Sequence, residues 1–339
     1  MKQNQLSRGP LLNEDGNLAE AGYSFFLVKD YHRKAIKAGK SRIKEWDYYY
    51  IGNHQCGIAL TIDDNSYMSL CSVTIFDFTE KKYVQSSTMH PFSFGKIALP
   101  ETSEIGNVVY KDKRTEMHFD NDGKTRHLHG IFRRLEKGKD LTFDIFLTPT
   151  TDKTMTIATP FLKKGHFYYN QKRNNLKASG GYYYDGIHHS LDDAYGVLDW
   201  GRGVWTYRNT WYWSSLNDFQ DGHTIGFNLG YGFGDTSAAT ENMFFFDDKA
   251  YKLGKVKFNI PQVNGKDSFL DIWTITSDRQ DVCLNFHPIF DRKGGGNALL
   301  IRSDQNQVYG YFNGTIAVDD QVIVIRTLLG FAEKVYNRW

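Results

Sequence analysis

Trp46-Asp47-Tyr48-Tyr49-Tyr50-Ile51 is where the 339-residue chain takes on the residues and the period of two that mark a β-strand. The same pattern continues on either side. Residues 55–63 and 67–77 pair as a hairpin closed at Asp64-Asn65. Strand-like runs follow at 82–90, 107–111, 115–119, 126–135 and 141–147, broken by Asn121-Asp122-Gly123 and Glu136-Lys137-Gly138-Lys139. The second half repeats the design at 223–231, 242–246, 255–260, 269–276, 282–286, 298–303, 308–318 and 321–328, with Asp247-Asp248 and Asp319-Asp320 at the turns. Many short strands with polar turns predict an all-β sandwich or barrel with few short helices.

Before Trp46 the pattern differs. Residues 1–29 are turn-rich, and residues 30–45 carry His32, Arg33, Lys34, Lys37, Lys40, Arg42 and Lys44. Asp30 is placed to N-cap a short helix there, which Gly39 weakens. The basic run reads as a solvated surface segment rather than an anion site. Between the halves, Pro149, Pro160 and Ser179-Gly180-Gly181 suggest a boundary, giving an N-terminal barrel over 1–165 and a C-terminal barrel over 166–339. The halves echo one another faintly: Trp46 and Trp213 each lead through a polar turn into a Gly-containing strand, as two copies of one barrel would.

Composition excludes several functions. With 41 Lys+Arg against 39 Asp+Glu, the net charge of +2 gives no general attraction to nucleic acid or anionic membrane. The N-terminus, Met1-Lys2-Gln3-Asn4-Gln5, opens no apolar signal segment, and no apolar run is long enough to span a bilayer, so the cytoplasm is the expected location. Cys56, Cys71 and Cys283 have no motif spacing and read as small apolar strand residues.

The chemistry is concentrated between residues 180 and 246. Tyr184-Asp185 is followed by Asp199-Trp200-Gly201-Arg202-Gly203, then Trp205, Trp211-Tyr212-Trp213 and Asn217-Asp218. Gly234-Asp235-Thr236-Ser237-Ala238-Ala239-Thr240-Glu241-Asn242 closes the region. Glycine on both sides of Arg202 suggests a bulge or tight turn aiming it inward, with Asp199 placed to pair with it. Ser237-Ala238-Ala239 leaves room beside Glu241.

These blocks, with Asn170-Gln171-Lys172 and the closing Asn337-Arg338-Trp339, resemble the hallmark segments of a bacterial family known as domain of unknown function 2804. More distantly, that family is similar to lipocalin-like double-barrel proteins such as carotenoid hydratases and tocopherol cyclase. The resemblance implies two lipocalin-like β-barrels packed together, with a ligand pocket in one barrel or between the two. It implies no single reaction.

Within that frame, the catalytic candidates are a carboxylate pair among Asp199, Asp218, Asp235 and Glu241. Trp200, Trp205, Trp211, Trp213 and Tyr184 are expected to wall the site. Arg202, Asp185, Asn170 and Lys172 are expected to contribute polar contacts. Aromatic walls desolvate a carboxyl group and can make it a general acid near neutral pH. The leading expectation is an enzyme that needs no cofactor and hydrates, isomerises or cyclises a small organic ligand. A two-carboxylate glycosidase and a non-enzymatic ligand carrier are the alternatives. Against the functional reading, Asp199 with Arg202 could be a structural ion pair, and the Trp cluster could be packing.

His127 and His129 alternate on one strand face, as two metal ligands would, and His188-His189 is a second pair. Neither has a third ligand at a recognisable spacing, so no metal site is expected. Gly294-Gly295-Gly296 lacks the Lys-Ser/Thr of a phosphate loop. No nucleophile elbow or dinucleotide fingerprint is present.

Overall fold

A strand's side chains alternate between two faces, so a chain with period two along most of its length can cover two layers at once. The computed structural model describes residues 3–298 and 301–338, and uses this alternation throughout. The described residues are all-β apart from two 3-10 turns, Arg33–Ala35 and Lys40–Arg42, which replace the expected helix after Asp30. Neither turn has a side-chain cap. Part of the basic run is held locally: Arg33 pairs with Glu45, His32 with Glu101, and the buried Lys44 donates to the Asn65 carbonyl. No helix among the described residues is long and apolar enough to cross a membrane.

The first sheet has 13 strands. Its main path is 82–91, 68–77, 56–64, 43–52, 195–204, 167–184, 139–149, 126–136, 115–121 and 108–111. It curls until its two edges meet through side chains: Thr88 Oγ1 donates to Tyr110 Oη at 3.0 Å and Arg114 to Ser86 Oγ at 3.1 Å. The second sheet has nine strands, in the order 249–252, 243–246, 223–231, 208–220, 321–338, 301–318, 282–298, 273–277 and 256–259. The turns at Lys137-Gly138, Asp247-Asp248 and Asp319-Asp320 fall where expected. Lys137, Asp247 and Asp319 take positive φ of 51°, 51° and 49°.

Each curled sheet encloses its own core. Leu60, Val73, Phe119, Leu128, Phe132 and Trp200 fill the first, and Phe227, Phe244, Trp273, Phe286 and Phe312 fill the second. A third apolar layer joins the sheets back to back. One part holds Tyr50, Phe76, Trp213, Tyr309 and Phe331, and the other Met155, Tyr168, Trp205, Phe233 and Phe245. Both echo residues, Trp46 and Trp213, belong to this layer.

The change of sheet comes later than the expected 165/166 boundary: strands Phe167–Tyr184 and Tyr195–Val204 complete the first sheet, and the second begins at Arg208. These two strands lie between the first core and the joining layer, so both their faces are covered. Residues 167–176 and all of 195–204 are buried. A strand buried on both sides loses the alternation by which strands are recognised. The polar run Asn170-Gln171-Lys172-Arg173 therefore reads as a linker although it is central strand. Cys56, Cys71 and Cys283 lie in strands as free thiols, the first two buried and the third exposed.

Candidate active site

Directly opposed residues in neighbouring strands share a face. On the first sheet Lys172 lies opposite Asp199, and Asp199 opposite Tyr48, giving one row directed at the second sheet. The next row is Asn170, Gly201 and Trp46. On the second sheet Gly230 lies opposite Trp213, Trp213 opposite Glu333, and Glu333 opposite Gln307. These rows meet in the joining layer. The Lys172 ammonium lies 3.9 Å above the Trp213 ring, and Tyr48 meets the same indole edge-on at 6.0 Å.

The cluster is polar, buried and heavily hydrogen-bonded. Lys172 Nζ pairs with Asp199 Oδ2 at 2.8 Å, and Asn170 donates to Asp199 Oδ1 at 2.6 Å. Trp211 Nε1 donates to Glu333 Oε1 at 2.9 Å, and Gln307 Nε2 to Glu333 Oε2 at 3.1 Å. Trp213 Nε1 donates to Asn228 Oδ1 at 2.7 Å, while Asn228 donates to the Glu241 carbonyl at 2.7 Å. Glu241 fits against Gly230, where a Cβ would come within 2.6 Å of Oε1. Gly230, rather than the Ser237-Ala238-Ala239 run, makes the space for this carboxylate.

Burial pushes the Glu333 carboxyl up to about 7, against the opposing pull of the Trp211 hydrogen bond and the Lys172 charge. Burial likewise raises Glu241, opposed by Lys172 and the Asn228 hydrogen bond, and Asp199 adds to the rise. Asp199, Glu241 and Glu333 each retain 7% of their surface accessible, whereas Asn170, Trp200 and Arg202 retain none. Trp46, Tyr48 and Trp211, on the same facing surfaces, are only partly covered. The seam between the sheets thus holds three nearly buried carboxylates beside part-covered aromatic rings.

Of the residues picked out in the sequence, Asp199, Glu241, Trp211, Trp213, Asn170 and Lys172 come together here. Trp205 adjoins them, its ring 5.9 Å from Trp211 and 5.1 Å from Trp46. The others lie elsewhere. Arg202 is three residues from Asp199, an odd spacing that sends the two to opposite faces. Arg202 is fully buried on the first sheet's inner face, where it pairs with Asp47 at 3.0 Å and donates to the Pro100 carbonyl at 2.8 Å. Trp200 shares that inner face, 4.3 Å from the Arg202 guanidinium. Strand Tyr195–Val204 runs in unbroken register with 43–52, so the flanking glycines make no bulge. They make space instead: a Cβ on Gly201 would come within 1.9 Å of the Trp46 ring.

Asp218 makes none of the cluster's hydrogen bonds and pairs instead with His54 at 3.1 Å. Asp235 is exposed and accepts from the Ser237 amide in its own turn. Asp185 turns the chain between 184 and 187 and pairs with Lys139, while Tyr184 contacts Glu136.

Glu333, Tyr48, Asn228 and Gln307 escaped the sequence reading. Glu333 had a legible signal. In Phe331-Ala332-Glu333-Lys334-Val335, period two puts the carboxylate on the same face as two apolar residues.

The family model for the Domain of unknown function (DUF2804) matches residues 2–339. The chain belongs to this family. Among solved structures, this DUF2804 protein is similar to one assigned as AttH from Nitrosomonas europaea. The two are 12% identical, with a TM-score of 0.54, covering 86% of this chain and 92% of that chain. Kievitone hydratase from Nectria haematococca is more distant, at 12% identity and TM-score 0.48, covering 87% of this chain and 88% of that one. No curated protein matches the chain in sequence. The likeness to AttH is one of fold, a single chain built as two curled β-sheets.

Proposed function

We propose that the polar cluster between the sheets is an acid/base site whose own side chains supply and receive the proton. On this reading it acts on a small organic molecule by proton-initiated hydration, isomerisation or cyclisation. The observation that carries it is a carboxyl group, Glu333, raised to about 7 beside the Lys172–Asp199 ion pair and among aromatic rings. A group that titrates near neutrality is suited to general acid catalysis. Glu333 gives its proton to an unsaturated carbon, and the cation that forms faces the π-surfaces of Trp211 and Trp213. Addition of water to the cation, or loss of a neighbouring proton from it, completes hydration or isomerisation. The released proton returns to Glu333. Lys172 and Asn170 hold Asp199 in position beside it.

Native mass spectrometry of the purified protein, followed by identification of any released small molecule, defines the substrate to assay. Turnover is then compared in wild type, Glu333→Gln and Asp199→Asn. The expected loss is roughly 10²–10⁴-fold in kcat for Glu333→Gln. Full turnover by both variants would sink the proposal, and a released ligand that wild type never alters would identify a carrier.

A further inference from the structure

On the outward face of the first sheet, the register of strands 115–121, 126–136 and 139–149 gathers ligand-type side chains that lie apart in sequence. His118 is directly opposite His129, and Asp120 opposite His127. His129 is in turn opposite Asp144, and His127 opposite Phe146. Three of the chain's 11 histidines thus form one file of rings: His118 to His129 at 4.6 Å, His129 to His127 at 4.3 Å, and His127 to Phe146 at 4.1 Å. Each imidazole has its own carboxylate: Glu116 for His118 at 3.3 Å, Asp120 for His129 at 3.0 Å, and Asp144 for His127 at 2.7 Å.

We propose that His118, His129 and Asp120 form a divalent transition-metal site, with zinc the ion that best suits two imidazoles and a carboxylate. One ligand atom from each already lies within 4.8 Å of the other two. Donors around a tetrahedral zinc sit about 3.4 Å apart, given bonds of roughly 2.0–2.1 Å, so small side-chain rotations on a partly exposed face close the set. A metal ion would supply positive charge to the carboxylates that face these rings. Glu116 is placed to hydrogen-bond the His118 ring, as carboxylates around zinc histidines do. The fourth position is left to water or to His127. In the sequence, His127 and His129 lacked a third ligand because it comes from a neighbouring strand.

The test uses untagged full-length protein stripped with chelator and titrated with Zn²⁺ by calorimetry, with metal content measured after desalting. A parallel Co²⁺ titration reads coordination by visible absorption. One equivalent per chain is expected in wild type, lost in His118→Ala/His129→Ala, with the thermal midpoint of the metal-free protein unchanged. Asp120→Asn, which keeps both rings and the strand, is the second variant. It should weaken binding at least tenfold, and Glu116→Gln should do so by roughly ten- to a hundredfold. No uptake by wild type, or uptake unchanged in the double variant and in Asp120→Asn, overturns the site.

Discussion

Replacing Glu333 by Gln tests the central electrostatic claim without knowledge of the substrate. The folded protein raises this carboxyl from the ordinary 4.5 to about 7, chiefly by burial. A raised carboxyl means that the folded state binds the proton more tightly than the unfolded chain does. Below about pH 4.5 both states are protonated and the group costs nothing. As pH rises towards 7 the unfolded chain ionises first, and stability falls. At about 1.4 kcal/mol per pH unit, the loss complete above pH 7 is about 3 kcal/mol. The amide of Glu333→Gln cannot titrate. It accepts at one atom only, so Trp211 or Gln307 loses a partner, a cost of about 1 kcal/mol that does not vary with pH. The informative quantity is therefore the change with pH in the stability difference between the two proteins. Urea unfolding at pH 5 and pH 8 should show the variant gaining roughly 2–3 kcal/mol on wild type between the two. A difference that stays constant across that range would refute the claim that Glu333 is protonated near neutrality.

Two further outcomes follow from the packing. Lys172→Met leaves the Asp199 carboxylate buried without its cation, and should cost about 3–5 kcal/mol in urea unfolding. The double variant with Asp199→Asn should cost clearly less than the two singles combined. Gly201→Ala puts a methyl within 1.9 Å of the Trp46 ring, so the indole must move or the strands must part. A shifted tryptophan emission and a loss of about 1–3 kcal/mol are expected, and an unchanged spectrum would contradict the contact.

The sequence reveals strands where one face meets water. Hairpins such as 56–64 with 68–77 keep the alternation and the turn residues that announce them. It is silent at 167–184 and 195–204, because residues covered on both sides do not alternate. The same blindness affected the site. Asn170, Lys172 and Asp199 were visible as motif residues, but a motif does not say which face each residue takes. Counting by twos along 195–204 separates Asp199 from Arg202, and applied to Phe331-Ala332-Glu333 it finds the missing acid. The metal proposal shows the limit of such counting, since strand register alone decides that His118 meets His129.

The carboxylates come from both halves: Asp199 with Lys172 from the first sheet, Glu333 from the second, and Glu241 from the loop that leads into strand 243–246 of the second. Glu333 is raised by its burial at the seam, where Lys172 and Asp199 of the first sheet act on it in opposite senses. A proton on Glu333 consequently acts as a latch. Sliding the halves apart would rehydrate the carboxyl and release that proton into neutral water, and taking it up again would favour closure. Alkaline conditions should loosen the seam between the sheets before they disturb either core, so amide exchange in strands 208–220 and 321–338 would speed up ahead of global unfolding.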